Sequence, residues 1–152
     1  MRIMNYLSEQ GVDFTVKEHE ERYTALEEAA AQHISGSMFA KTVILKLGEQ
    51  CVMLVLPASH RVDLAGVAAL LGAEPVMASE EEVGRLFPDC DLGAEPPFGS
   101  QYGLSTWVDE SLAQQPQIAI RAGNHKEVVL LSYADFARLE RPRLARFAEP
   151  IT

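Results

Sequence analysis

Two stretches of the sequence carry residue types that could do chemistry without a metal or a catalytic triad. The first is the loop Gly93-Ala94-Glu95-Pro96-Pro97-Phe98-Gly99. Its glycines permit positive φ and close backbone approach, and its prolines fix φ and stiffen the segment. A rigid loop with free N–H groups can hold a carbonyl oxygen or an oxyanion without using a side chain. The same composition would also suit a plain surface crossover. The second stretch is Phe39-Ala40-Lys41-Thr42-Val43-Ile44-Leu45. Strand alternation puts Lys41 on one face with Phe39, Val43 and Leu45, and Lys46 on the other with Ala40, Thr42 and Ile44. Lys46 sits near Gly48, where a lysine is expected to be solvated. A lysine on an apolar face is costly unless it reaches a partner or a cleft. Near a strand end it can instead snorkel to water.

Other chemistries lack their patterns. His19, His33, His60 and His125 are far apart and show neither HxxxH nor HExxH spacing, so no metal site is expected. Cys51 and Cys90 form no CxxC pair. The run Gly99-Ser100-Gln101-Tyr102-Gly103 has the wrong spacing for a nucleophile elbow or a phosphate-binding loop. No dinucleotide fingerprint is present, so no cofactor is expected. Glu80, Glu81 and Glu82 are better explained by a helix N-terminus than by acid–base work.

The elements that must position these residues can be read from pattern. A helix over residues 1–10 is closed by Gly11, and residues 12–18 alternate as a strand. Thr24 and Glu27 make a capping box for a helix to about His33. Residues 39–47 and 50–56 form a hairpin around Gly48-Glu49. Asp63 caps a helix that Gly72 ends. A short strand over residues 74–78 precedes a second capping box, Ser79 with Glu82. Residues 91–103 have no period. Strands are expected over residues 104–108, 117–122 and 127–131, with a turn at Gly123-Asn124 and a last helix capped by Ser132. The sum is one α+β domain over residues 1–152, with a mixed, largely antiparallel, curved, barrel-like sheet flanked by helices.

Bulk properties bound the function. The 152 residues are 47% hydrophobic and 23% charged, an ordinary globular balance. No run approaches the ~18 apolar residues of a membrane span, and residues 1–10 lack a secretory pattern. A cytoplasmic location is expected, with no membrane partner. The net charge of −9 argues against a broad nucleic-acid surface. Arg138, Arg141, Arg143 and Arg146 crowd the C-terminus, either as a solvated helix end or as a landing patch for an RNA backbone.

The ordered set of motifs resembles the YbaK-like editing domains associated with prolyl-tRNA synthetases. Ser35-Gly36-x-x-x-Ala40-Lys41-Thr42-Val43 is similar to that family's lysine-bearing strand, and Gly93 to Pro97 fits its GxxxP loop. Tyr23-Thr24-Ala25 with Glu28-Ala29-Ala30 resembles the start of its second helix. Ala122-Gly123-Asn124-His125, then Glu127-Val128-Val129 and Asp135-Phe136, resemble its last hairpin and helix. The resemblance implies a stand-alone hydrolase that removes a wrong amino acid from the 3′ acceptor end of tRNA, with an aminoacyl-tRNA synthetase as a further candidate partner. Lys41 would hold the terminal adenosine, and the Gly93 loop would grip the acyl carbonyl. Water would attack, and neither metal nor cofactor would take part. Tyr23, Thr24, Ala94, Glu95, Pro96, Pro97, Phe98, Gly99 and His125 would complete the site. The Cys-tRNA-clearing subgroup carries Gly-Gly and an acid near the last hairpin, where this chain has Ala122-Gly123 and Val128. Alanine or serine is therefore at least as good a candidate as cysteine, on tRNA-Pro or a related tRNA. The alternative is a non-catalytic module of the same fold that binds an oligonucleotide or a synthetase.

Overall fold

Short polar breaks divide the chain into alternating helices and strands across residues 2–18, 24–31 and 34–151, which the computed structural model describes. In order they are α1 (Arg2–Glu9), β1 (Phe14–Glu18), α2 (Ala25–Ala31), β2 (Ala40–Leu47), β3 (Gln50–Pro57), β4 (His60–Val62), α3 (Leu64–Leu71), β5 (Val76–Met77) and α4 (Glu80–Leu86). Then follow a 3₁₀ turn (Gly99–Tyr102), β6 (Ser105–Asp109), α5 (Glu110–Ala113), β7 (Gln117–Arg121), β8 (Glu127–Ser132), α6 (Tyr133–Glu140), β9 (Arg143–Ala145) and β10 (Ala148–Pro150).

The expected end signals operate. Thr24 Oγ1 accepts from Glu27 N at 3.1 Å, while Thr24 N donates back to the Glu27 carboxylate at 3.2 Å. Ser79 and Glu82 make the same reciprocal box at α4. Asp63 accepts from Gly66 N to open α3, and Gly72 closes it at φ 71°. Such caps satisfy donors and acceptors that a helix end leaves open.

The described residues form three sheets: β1-β8-β7, β10-β4 and β5-β2-β3-β6-β9. The first two are antiparallel, as are β5-β2 and β2-β3; β3-β6 and β6-β9 are parallel. One parallel bridge, Phe39 to Ala119, joins the largest sheet to the three-stranded one. The α+β class and the curved, mixed sheet are as expected, but the described strands do not close into a barrel.

The central hairpin β2-β3 is covered on both faces. Ala40, Ile44, Met53 and Val55 enter the main core with α1, Phe98, β7, β8 and Phe136. Leu45, Val52, Leu54 and Leu56 pack under Val67 and Phe147. Phe39, Ala119 and Val128 meet Ala25 and Ala29 of α2. Burying both faces explains why β3 reads as a continuous apolar run.

The short elements β4, α5, β9 and β10 differ from the sequence expectation. At three or four residues each, they carry too little periodicity to register. The arginine-rich end is accordingly not a plain helix terminus: Arg141 caps α6 at φ 51°, and Arg143 starts β9 beside β6. The strand expected over residues 74–78 shrinks to Val76–Met77.

Candidate active site

Lys41 lies opposite Leu56 in the β2-β3 ladder and is half-buried. Desolvation pushes its ammonium below the usual lysine range. It makes no hydrogen bond or ion pair with any described residue. Lys46 has the opposite character. Its ammonium lies 2.6 Å from the Glu82 carboxylate, which raises the lysine. Glu82 falls to about 2, chiefly through the Lys46 hydrogen bond and then through Ser79. The expectation of a merely solvated Lys46 is thus corrected: α4 supplies its partner.

The Phe39–Ala119 bridge sets the register toward the loop. Two residues further along each strand, on the same face as the bridge, come Lys41 and Arg121. Arg121 is only 8% exposed, and its guanidinium donates to the Gly93 carbonyl. His125 Nε2 bonds the Leu92 carbonyl at 2.8 Å; a carbonyl only accepts, so Nε2 carries the proton. Gly123 N donates to Ala94 O at 2.9 Å, and Asp91 N donates to Gly123 O at 2.7 Å. The β7-β8 turn therefore braces residues 91–94 through their backbone.

Inside the loop, Ala94 N donates to Asp91 O at 3.0 Å. Gly93 N donates to the Glu95 carboxylate at 2.7 Å. The expectation of free N–H groups is corrected here: both already have acceptors within the loop. Glu95 is 7% exposed. Burial pushes its carboxyl up, against the Gly93 hydrogen bond and the Arg121 charge, which pull it down. Gly93 has φ 85°, and an added Cβ would meet only His125 at ordinary contact distance, 3.5 Å. Its requirement for glycine is therefore conformational rather than steric.

The rest of the motif anchors the loop. Ala94, Pro96, Pro97, Phe98 and Gly99 are buried. Phe98 stacks edge-on against Tyr6 at 5.8 Å and Phe136 at 5.1 Å. A Cβ on Gly99 would collide with the Thr106 hydroxyl. Buried Glu140 ties the following turn to α6, accepting from Ser100 N at 3.0 Å, Ser100 Oγ at 2.6 Å and Thr106 Oγ1 at 2.5 Å. Thr24 is exposed and its hydroxyl caps α2; Tyr23 lies outside the described residues. Burial raises the Cys90 thiol to about 11, so it offers no thiolate nucleophile near neutral pH. Among the described residues, no three His, Cys, Asp or Glu side chains are placed to hold a metal.

Sequence reasoning missed Arg121. The signal was present: an arginine inside the apolar strand Gln117–Arg121 must find a partner when buried.

The α+β fold recurs in solved structures. A structure described as that of a candidate trans-editing enzyme for prolyl-tRNA synthetase matches with a TM-score of 0.86 and 23% identity, covering 97% of this chain and 95% of that one. A hypothetical protein matches at 0.88 and 19%, covering 98% and 100%. A candidate signal transduction protein from Marinobacter aquaeolei VT8 matches at 0.77 and 16%, covering 97% of this chain but 30% of that longer one. At these identities the likeness establishes the fold. No protein of curated function matches in sequence. Residues 19–139 match the aminoacyl-tRNA editing domain, and the chain belongs to that family.

Proposed function

We propose that the protein is a trans-editing deacylase. It would hydrolyse the ester between a small, wrongly attached amino acid and the terminal ribose of a tRNA in the cytoplasm. The observation that carries this reading is Lys41: a desolvated cation with no partner among the described residues, in register with the arginine that braces the Gly93 loop. Such a cation holds a phosphate or a ribose edge more strongly than one in bulk water. Family membership supplies the class of substrate.

In this reading Lys41 grips the terminal adenosine and the acyl carbonyl lies against Gly93. Water attacks the acyl carbon, the bond to the ribose oxygen breaks, and that oxygen takes one proton from the water. The products are the free amino acid and the uncharged tRNA. An aminoacyl ester is already reactive, so placing water and ester together can supply much of the acceleration. His125, Arg121 and Gly123 act by holding the loop still.

The internally satisfied N–H groups of Gly93 and Ala94 favour a second reading, a domain that binds the acceptor end without turnover. Release of amino acid separates the two. The protein is incubated with tRNA-Pro charged with alanine, serine, cysteine or proline, and free amino acid is measured. Release of a small non-cognate amino acid well above the uncatalysed rate supports the deacylase. Binding without release leaves the non-catalytic module.

A further inference from the structure

A surface helix carries polar residues on its outward side, and a helix that is apolar all round is normally covered. Helix α3 departs from that rule. Its residues, Leu-Ala-Gly-Val-Ala-Ala-Leu-Leu, include no polar side chain, and only Val67 is buried. At 100° per residue, Ala65 and Ala69 point away from the core, with Leu64 and Leu70 on the two flanks. Strand β5 follows at the edge of the five-stranded sheet. Met77 stands opposite Leu45, which packs with Val67. Directly opposed residues share a face of a sheet, so Met77 lies on the face that α3 covers, and Val76 lies on the other face of the same edge. Among the described residues, four of the nine large exposed apolar side chains belong to this segment: Leu64, Leu70, Val76 and Met77.

We propose that this surface is the contact between two copies of the chain, with α3 and the β5 edge of each facing those of its mate across a two-fold axis. The proposal stands apart from the deacylase reading. Composition favours a second copy over a different protein. Contacts between unlike proteins that come and go are about as polar as the rest of a surface, whereas those between identical subunits are more apolar. The outward face of α3 has no side chain with which to hydrogen-bond a partner. Geometry agrees: a two-fold axis sets a patch against itself and runs the two β5 edges antiparallel, so their unpaired backbone groups can meet. The small Ala65 and Ala69 let the two helices approach closely. Area also agrees. Leu64 is 48% exposed, Leu70 41%, Val76 60% and Met77 55%. With the alanines they offer on the order of 500 Å² of apolar surface a side, enough for a pair to reach the roughly 1,000 Å² at which specific interfaces begin. The opposing term is the charge of −9 on each copy, a repulsion that salt screens within about 10 Å at 0.1 M. The dimer is therefore weak, and salt tightens it.

The test is sedimentation of the full chain from about 1 to 500 µM, at low and at high salt. A monomer–dimer equilibrium is expected, with a dissociation constant on the order of 10–100 µM that falls as salt rises. Leu70→Lys and Met77→Lys should each raise that constant at least about tenfold, the effect of losing one buried apolar side chain. Lysine makes the chain less negative, so added repulsion cannot account for the loss. Leu144→Lys is the control: Leu144 is 54% exposed and lies on β9, at the opposite edge of the same sheet. It should leave the constant unchanged. Melting temperatures report whether each variant folds, and if either lysine variant does not, Ala69→Lys on the outward side of α3 gives the same reading. A chain that stays monomeric throughout overturns the proposal. So does a dimer that loosens with salt, one that Leu70→Lys and Met77→Lys leave intact, or one that Leu144→Lys breaks equally. Assemblies that keep growing beyond two copies overturn the closed two-fold contact.

Discussion

Lys41 and Lys46 sit five residues apart on one strand and meet opposite fates. Lys46 finds Glu82 at 2.6 Å and becomes part of the scaffold that holds α4. Lys41 is desolvated with no partner among the described residues. Both faces of β2 are apolar, so hydrophobicity alone does not separate the two lysines. What separates them is whether the fold provides a carboxylate. A half-buried cation left without one lowers stability, and a site that must grip an anionic ligand gives a reason to keep it.

The largest expected effect follows from that contrast. Lys41→Met should reduce deacylation roughly ten- to a hundredfold, the range for losing a hydrogen bond to a charged group. It should not lower the melting temperature. The folded-state pKa of Lys41 lies below its usual 10.5. The unfolded chain therefore binds more protons between those two values, and stability rises as pH climbs through that window. Below that window the cost of the charge is fully present, and methionine removes it. A Lys41→Met protein that melts earlier would mark the lysine as structural. Full activity in that variant would move the site elsewhere.

The loop should be nearly as sensitive, through its backbone. Gly93→Ala places a side chain at φ 85°, a strain of about 1–3 kcal/mol. Its rate should fall about tenfold or more, measured as kcat for the preferred tRNA. Arg121→Lys keeps the charge but loses the planar fork that reaches the Gly93 carbonyl. It should lower kcat more than it raises KM, because the loop would still bind but with poorer geometry. Wild-type kcat in both variants would show that loop shape does not govern the reaction.

Lys46→Ala should leave the rate unchanged and weaken the fold slightly at neutral pH, a difference that fades in acid. The Glu82 carboxyl lies near 2 in the folded protein against an ordinary 4.5. Its contribution is therefore present above about 4.5 and lost as pH falls toward 2. Without Lys46 most of that contribution is gone, so the melting temperatures of variant and wild type should differ above about pH 4.5 and converge as pH falls toward 2. Equal melting temperatures at neutral pH, or a difference that persists undiminished in acid, would count against the ion pair.

Most of this arrangement was legible where local rules decide it. The caps at Thr24, Asp63, Ser79 and Ser132 depend on a few neighbouring residues, and each appears as expected. The hairpin at Gly48 likewise needs only its own turn. The partners were not legible. Glu82 reaches Lys46 across an element boundary, and Glu95 folds back onto its own loop, because tertiary packing and not spacing brings them there. The prolines and glycines of residues 93–99 identified a rigid loop, but not that Phe98 and Gly99 would be anchors inside the core. Strands β9 and β10 exist because β6 and β4 offer edges, which a three-residue segment cannot announce.

The smallest expected effect concerns the C-terminal arginines. A landing patch for RNA needs cations free to release counterions from phosphates. Here Arg138 pairs with Asp135 at 3.4 Å and Arg146 with Glu110 at 2.8 Å. The Arg143 guanidinium lies 5.4 Å from the centre of the Trp107 ring. Surface pairs of this kind contribute roughly 0–1 kcal/mol to stability, yet they place an acid beside two of the four cations and reduce their pull on a phosphate. The chain as a whole carries −9, which opposes any broad RNA contact. Replacing both Arg141 and Arg143 with glutamine should therefore leave the slope of log binding constant against log salt unchanged for charged tRNA. Each arginine that truly neutralised a phosphate would contribute about 0.7–0.9 to that slope. A double variant whose slope flattened by about 1.5 or more would make the arginines part of the tRNA interface, and the acidic surface would then have to be read as confining tRNA to that edge.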